Sequence, residues 1–317
     1  MTVSPPHARH RRAARRIACR AAWASGGLAA AGLTALAYAS LVELRWFALR
    51  HETVPVLRAA ARRPLRVLHL SDLHLTPRQA DKMAFVRSCR SVGADLVVVT
   101  GDILGHREGV APAVALLAEL AAGTPAVAVL GSNDFHGPMV KNPLAYLTRP
   151  SLRRHGTPLD TAGMVRGLRE AGWHVLDNDR LRLDTAAGPL DVVGLGDAHI
   201  DRDRPQDVDW TAAAEPVALR LGVAHSPYRR CLTAFDRHGF DLALAGHTHG
   251  GQVRVPGVGA LVTNCDLPTR QARGLSRFGS GLWLHVSAGL GTAVTAPIRF
   301  ACRPEVSVLD LVHAPPG

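Results

Sequence analysis

Short apolar runs closed by Gly, Ser or Asp recur along the chain at residues 66–70 (RVLHL), 95–100 (DLVVVT), 126–130 (AVAVL), 219–224 (LRLGVA) and 241–245 (DLALA). Val and Leu dominate them, and a run this short with turn formers at its end reads as a strand buried on both faces. Between the runs, residues 79–92, 111–121 and 228–238 carry helical patterns, so strands and helices alternate through most of the chain. Alternation predicts an α/β layered fold in which ligands collect beyond the carboxyl ends of the strands.

Five polar clusters follow those runs: Asp72-Leu73-His74, Gly101-Asp102, Gly131-Ser132-Asn133-Asp134, His225 and Gly246-His247-Thr248-His249. Folding can therefore gather their oxygens and imidazoles at one sheet edge. Two divalent cations about 4 Å apart can hold the attacking and leaving oxygens of a phosphoryl transfer together, but their repulsion needs a bridging carboxylate. Asp102 is the natural bridge. Imidazole, carboxylate and amide donors together suit Mn, Fe or Zn better than Ca or Mg.

Each cluster alone has an ordinary reading. Gly-Asp after a strand is a common turn, Asp-x-His a capped loop, and His225 a core histidine before a turn. Gly-His-x-His is less ordinary, because imidazoles at i and i+2 project to one side of an extended segment. Elsewhere the plain reading is preferred. His69, inside the first predicted strand, is expected to be a satisfied core group, and His106, Asp197 and His199 are expected on solvated loops. The run 287–292 is too short to be a phosphate loop.

The net charge of +11 on 317 residues first suggests a nucleic-acid binder, but its distribution argues otherwise. Arg9, Arg11, Arg12, Arg15, Arg16 and Arg20 crowd the start, just before an uncharged Ala/Gly/Leu stretch at 21–42. Such a stretch is long enough to cross a hydrocarbon core of about 30 Å as a helix. The arginines would hold residues 1–20 in the cytoplasm, 21–42 would be the transmembrane anchor, 43–64 a juxtamembrane linker and 65–317 an extracytoplasmic catalytic domain. A cleaved export signal, with Arg15-Arg16 as its twin arginine, and a soluble amphipathic segment are the alternatives. With the arginines concentrated by the anchor and aromatics at 5% of residues, nucleic acid is not an expected partner. The five scattered cysteines form no C-x-x-C pair and read as free thiols, with a Cys265–Cys302 bridge as the alternative for an exported domain.

In order and spacing, Asp-x-His, Gly-Asp, a Gly-Asn-His-Asp-like turn, a lone His and Gly-His-x-His resemble the calcineurin-like metallophosphoesterase superfamily. The segments 67–74 (VLHLSDLH) and 246–252 (GHTHGGQ) resemble its bacterial membrane-associated or exported branch. The resemblance covers roughly residues 65–311. It implies a four-layer α/β/β/α sandwich of two mixed sheets flanked by helices. It also implies two metal ions, one held by Asp72, His74 and His249, the other by Asn133, His225 and His247, with Asp102 between them and a bridging hydroxide as nucleophile. The substrate would be a phosphorylated small molecule, lipid or envelope polymer.

One departure bears on mechanism. Where the family has Gly-Asn-His followed by an acid, this chain reads Gly131-Ser132-Asn133-Asp134. Column alignment puts Ser132 on the ligand position and Asn133 on the proton donor. A shift by one residue keeps Asn133 as ligand and puts Asp134 at the donor position, and is preferred because a hydroxyl is a poor metal ligand. Either way the usual catalytic His is missing, with Asp134 or His136 as substitutes. A positioned general acid contributes about 10²- to 10⁴-fold, so acidic leaving groups, such as those of anhydrides or aryl esters, are expected to be favoured. The other reading is a metal-binding pseudo-phosphatase that binds or scaffolds without turnover.

Overall fold

The structure, a computed structural model, describes residues 23, 25–27, 29–137, 156–211, 215–292 and 296–314. The basic stretch 1–20 and most of the loop 135–158 lie outside the described residues. Among the described residues are fourteen strands: β1 (Ala48–Leu57), β2 (Leu65–Leu70), β3 (Leu96–Thr100), β4 (Ala126–Val129), β5 (His174–Val175), β6 (Asp179–Thr185), β7 (Gly188–Leu195), β8 (Leu219–Ala224), β9 (Leu242–Ala245), β10 (Arg254–Val255), β11 (Gly259–Ala260), β12 (Gly274–Phe278), β13 (Leu282–Val286) and β14 (Glu305–His313). Helices α1 (Ala80–Ser88), α2 (Val110–Leu120), α3 (Ser132–Phe135), α4 (Thr161–Glu170) and α5 (Arg229–Arg237) connect them. The five predicted strands are β2, β3, β4, β8 and β9. The predicted helices are α1 with a 3₁₀ turn over Cys89–Val92, then α2 and α5.

Two six-stranded mixed sheets result, one in the order β1-β14-β2-β3-β4-β5, the other β12-β13-β9-β8-β7-β6. Successive residues of a strand point to opposite faces, and here both faces are covered. Val67, Val98 and Val127 pack between the sheets against Leu190, Leu221 and Leu244. Leu68, Val97 and Val99 turn outward onto Leu116, Leu120, Met164 and Leu168 of α2 and α4. On the far side, Val193, Ala243 and Ala245 meet Leu232 and Phe235 of α5. Three apolar layers thus separate four structural ones, which is the α/β/β/α sandwich. They also explain the Val/Leu runs, since on β2, β3, β4, β8 and β9 only Arg66 and Arg220, near the strand starts, escape burial.

The segment expected to be a linker, 43–64, is not one. Its residues 48–57 form β1, which runs parallel to β14 from Ala48↔Glu305 to Leu57↔His313. The polar run Arg50-His51-Glu52-Thr53, half-exposed to exposed as suits an edge strand, disguises it in the sequence. The chain before it is also tied to the domain. A helix over Ser25–Arg45 is long and apolar enough to cross a membrane by length and composition. Its last turns are gripped from below: the Arg299 N–H donates to the Ala39 carbonyl at 3.0 Å, and the buried Glu43 carboxylate accepts from the Ala301 and Cys302 amides. Cys89, Cys231, Cys265 and Cys302 are free thiols.

Candidate metal centre

β2 delivers Asp72 and His74 to one sheet edge, β3 delivers Asp102, β4 leads into Asn133, and from the second sheet β8 and β9 deliver His225, His247 and His249. Asp72, His74, Asp102, His247 and His249 have φ of 50°, 43°, 51°, 69° and 50°. A non-glycine residue in this left-handed region costs on the order of 1–3 kcal/mol and persists only where its surroundings enforce it. Backbone bonds enforce it here: Asp72 N–H to Gly101 O at 3.0 Å, His74 N–H to Asp102 O at 2.9 Å and Gly291 N–H to Asp72 O at 2.6 Å. Two glycines make the approach possible. A Cβ on Gly246 would collide with Ser71 Oγ and Asp72 Oδ2, and one on Gly291 would lie 2.7 Å from Asp72 O and 2.8 Å from His74 Cβ. The run 287–292 therefore acts as a backbone brace beneath the Asp72–His74 loop.

Donor atoms of Asp72, His74, Asp102 and His249 all lie within 4.8 Å of one another. His74 Nε2 is 3.3 Å from His249 Nε2 and 3.6 Å from Asp102 Oδ2, and His225 Nε2 is 3.5 Å from Asp102 Oδ2. Neighbouring carbonyls fix the rings. Thr100 O lies 2.7 Å from His225 Nδ1, Gly291 O 3.0 Å from His249 Nδ1, and Asn264 O 3.1 Å from His247 Nε2. A carbonyl accepts only from N–H, so the neutral His247 and His249 rings each present their other nitrogen as a lone pair, the usual arrangement behind metal-binding histidines. His225 differs: burial disfavours its charge, but Asp102 and Asp197 raise it well above the usual imidazole range. The buried Nε2 of His225 has no hydrogen-bond partner.

Burial pushes His74 and His247 down to about 4 and lowers His249, so these rings are neutral at pH 7. Burial also works against a charged Asp102, but His225 and His74 outweigh it and hold this carboxyl well below the usual range. Neutral imidazoles and an ionised carboxylate converge on one buried point, and an orphaned nitrogen is aimed at the same carboxylate. This donor set fits divalent cations.

Asn133 belongs to the centre: its backbone N–H donates to Asp102 Oδ1 at 2.8 Å and its side-chain amide to Asp102 Oδ2 at 2.6 Å. Asp134 does not. Its fully buried carboxylate accepts from Ile103 and Leu104 N–H at 2.8 and 3.0 Å and from Gly131 N–H at 2.9 Å. The expectation that Asp134 replaces the proton donor is corrected accordingly: α3 turns this side chain inward, where it clamps the Asp102 loop to the Asn133 loop. His136, just past α3, pairs with Pro158 at the margin of the loop outside the described residues.

Two residues expected on solvated loops are drawn in. Asp197 is 1% exposed and accepts from Ser226 Oγ at 2.6 Å and His199 N–H at 2.9 Å. The His199 ring lies 4.5 Å from that of His247 and bonds Tyr228 Oη at 3.1 Å. Gly196-Asp197 directly after β7 was the available signal, the same Gly-Asp turn that marks Asp102. His69 is, as expected, a core group, bonded to Thr100 Oγ1 and to buried His285 at 3.0 Å each.

A family model described as calcineurin-like phosphoesterase matches residues 65–251. The chain is similar to the metallophosphoesterase YkoQ of Bacillus subtilis, 29% identical over 78% of this chain and 83% of that protein. It is also similar to the phosphodiesterase YaeI of Escherichia coli, 29% identical over 87% and 92%. The UDP-2,3-diacylglucosamine pyrophosphatase LpxG of Chlamydia trachomatis is 26% identical over 79% and 84%. With the family model spanning more than half its length and the donor set gathered where that family carries its chemistry, the chain belongs to the calcineurin-like phosphoesterases.

Proposed function

We propose that this protein is a membrane-anchored, binuclear metal-dependent hydrolase of phosphodiester or phosphoanhydride bonds. The observation that carries this reading is the Asp102 carboxylate, ringed by His74, His225 and Asn133 and close to the Asp72–His249 pair at 3.5 Å. Asp72, His74 and His249 would hold one divalent cation, Asn133, His225 and His247 the other, and Asp102 both. Such a pair of cations, when bound, supplies Lewis acidity toward the phosphoryl oxygens and lowers the pKa of water.

The chain's own residues do the rest. Left-handed loops at the sheet edge fix the carboxylates before substrate arrives, so little reorganisation is needed during reaction. His199 and Tyr228 line the approach to His247 and offer polar hydrogens to a phosphate. The catalytic domain holds no imidazole at the family's donor position, which favours acidic leaving groups. Diester and anhydride chemistry agree with the names of YaeI and LpxG, and an amphiphilic substrate agrees with the apolar helix at Ser25–Arg45.

The test uses the full chain in detergent micelles loaded with Mn²⁺, assayed on bis(4-nitrophenyl) phosphate, 4-nitrophenyl phosphate and a nucleoside diphosphate sugar. Turnover of the diester or the anhydride that chelation abolishes is expected. Metal binding without turnover of any of the three would instead indicate the pseudo-phosphatase.

A further inference from the structure

β10 and β11 form a two-stranded hairpin that stands apart from both sheets. It exposes an unusual set of side chains: Val258 is 73% exposed and Leu261 57%, with Val253, Val255 and Val262 exposed beside them. Contiguous apolar surface of this kind on a protein otherwise covered by polar groups marks an interaction site.

Its position identifies the occupant. Val253 forms a bridge with Phe300, and Phe300 packs edge-on against Tyr38 of the apolar N-terminal helix, with ring centroids 6.3 Å apart. The neighbouring Arg299 N–H is bonded to Ala39 O of the same helix at 3.0 Å. The root of the hairpin is thus welded to the last turns of the segment that would cross the bilayer, with no linker between. On the same side, Trp46 is 52% exposed with the Arg303 guanidinium 4.1 Å above its ring, a pairing of aromatic and cation suited to the headgroup level. A shallow cavity next to the hairpin is lined by Arg50, Arg254 and Arg273 against Glu52; Arg50 and Arg273 also pair with Glu305 below, which leaves a weakly basic rim compatible with anionic headgroups.

We infer that the hairpin seats in the headgroup–acyl boundary of the bilayer that holds the anchor, and that the metal centre thereby takes phosphate esters presented at the membrane surface. The connection to the centre is short. The hairpin leaves from His249 through Gly250 and Gly251, and it returns to Asn264, whose carbonyl orients the His247 ring at 3.1 Å. Both of its ends are therefore fixed to candidate metal ligands, and seating it sets the height of the centre above the acyl chains. This inference rests on the membrane-anchored hydrolase proposed above and specifies the form in which the substrate arrives.

The experiment places a nitrobenzoxadiazole fluorophore on Val258→Cys in a full-length Cys19→Ser/Cys265→Ser background, reconstituted in phosphatidylcholine–phosphatidylglycerol vesicles with brominated acyl chains. A second sample carries the label on Glu170→Cys, on α4 beside β5 at the opposite edge of the first sheet from β1. Blue-shifted emission quenched by bromine at 258, and neither at 170, is the expected result. Protein that floats with the vesicles but shows aqueous emission at 258 overturns the inference and leaves the hydrolase reading intact. Failure to float overturns both the anchor and the seat, while the soluble-ester assay still decides the chemistry.

A second arm compares Val258→Asp/Leu261→Asp with the parent chain in the same vesicles. Turnover of bis(4-nitrophenyl) phosphate should not change, whereas turnover of a vesicle-embedded hexadecyl 4-nitrophenyl phosphate should fall about tenfold, since a carboxylate at that depth is costly. Equal rates on the embedded ester, or equal losses on both, would show that the hairpin presents no substrate.

Discussion

The two sheets contribute unlike halves to the candidate metal centre. The first gives both carboxylates and the amide, Asp72, Asp102 and Asn133, with His74; the second gives only imidazoles, His225, His247 and His249. Each half is oriented by the other. The His247 N–H from the second sheet donates to Asp72 Oδ2 at 3.0 Å, and Thr100 O from the first fixes the His225 ring at 2.7 Å. The carboxylate half carries the charge that cations require, and the imidazole half carries direction. An error on the first side should therefore cost metal, and an error on the second should cost geometry.

The largest effect is expected at Asp102, whose carboxylate lies 3.6 Å from His74 of the first half and 3.5 Å from His225 of the second. Asp102→Asn keeps shape and one of the two bonds from Asn133 but removes the charge proposed to bridge the cations, so at least one metal should be lost while the domain stays folded. Losing one of two Lewis acids, each worth several kcal/mol, corresponds to roughly 10³-fold or more in rate. His225→Gln should keep more metal than Asp102→Asn at a comparable stability. Unchanged metal stoichiometry in Asp102→Asn, by elemental analysis, would break the distinction between the halves.

Next in size is a loss of stability without a change of mechanism. The Asp134 carboxylate alone satisfies three buried amides, those of Ile103, Leu104 and Gly131. Burial, with Asp102 beside it, pushes this carboxyl up to about 7, so each bond is worth between about 1 kcal/mol, as for a neutral pair, and about 1.5–3 kcal/mol, as for a charged one, and orphaned buried donors cost more than the bond. Asp134→Ala should lower unfolding free energy by about 3 kcal/mol or more, read by thermal or denaturant melts. Its dependence of rate on leaving-group pKa should be that of the parent. A variant with parental stability that loses only alkyl esters would restore Asp134 as the proton donor.

The strands that proved legible from sequence were those buried on both faces, β2, β3, β4, β8 and β9, because a continuous Val/Leu run has one reading. The strands missed lie at or near the sheet edges. β1 carries the polar run Arg50-His51-Glu52-Thr53, β6 alternates charged and apolar residues, and β14 reaches its place beside β2 only by a long-range antiparallel pairing that no local pattern announces. The site followed the same rule. Candidate residues directly after visible strands, among them Asp72, His74, Asp102 and His249, are brought together, whereas Asp197 follows β7, whose Gly and Pro conceal it as a strand. The Asp134 expectation failed for a different reason. Sequence adjacency put Asn133 and Asp134 on equal terms, but successive residues of a helical turn point about 100° apart, so only one can face Asp102. The overlooked β1 also has a practical consequence: a soluble fragment beginning near Arg62 would strip an edge strand from the first sheet, which is why the assays above use the full chain.

A donor restored on the carboxylate side gives a smaller but more specific effect. Asn133 directs its side chain at Asp102 Oδ2, 2.6 Å away, whereas Asp134 points into the core. Asn133→His therefore puts an imidazole near the reacting phosphoryl group, and Asp134→His puts one where three amides need an acceptor. If the absence of a general acid limits alkyl esters and Asn133 stands at the donor position, with Ser132 at the ligand position, Asn133→His should raise their turnover about tenfold, a fraction of the 10²–10⁴ that a well-positioned acid supplies. Aryl esters should gain little, and Asp134→His should mainly destabilise. If Asn133 instead holds a cation, turnover of alkyl and aryl esters in Asn133→His should fall together.

The smallest effect tests the imidazole half through a residue that touches it only indirectly. Asp197 anchors the loop after β8 by accepting from Ser226 Oγ, and it anchors the His199 turn by accepting from the His199 N–H. Both loops bear on the imidazole half, His225 by adjacency and His247 through the His199 ring at 4.5 Å. Partners of this indirect kind typically cost 10- to 100-fold in metal affinity or activity when removed. Asp197→Asn, which keeps one acceptor, should cost about tenfold in rate, with metal content near that of the parent. Asp197→Ala should cost more and add a loss of stability. If direction is what the imidazole half supplies, the lost rate should appear in kcat with the metal still bound. Metal loss in Asp197→Asn equal to that in Asp102→Asn would mean that the two halves do not divide charge from direction at all.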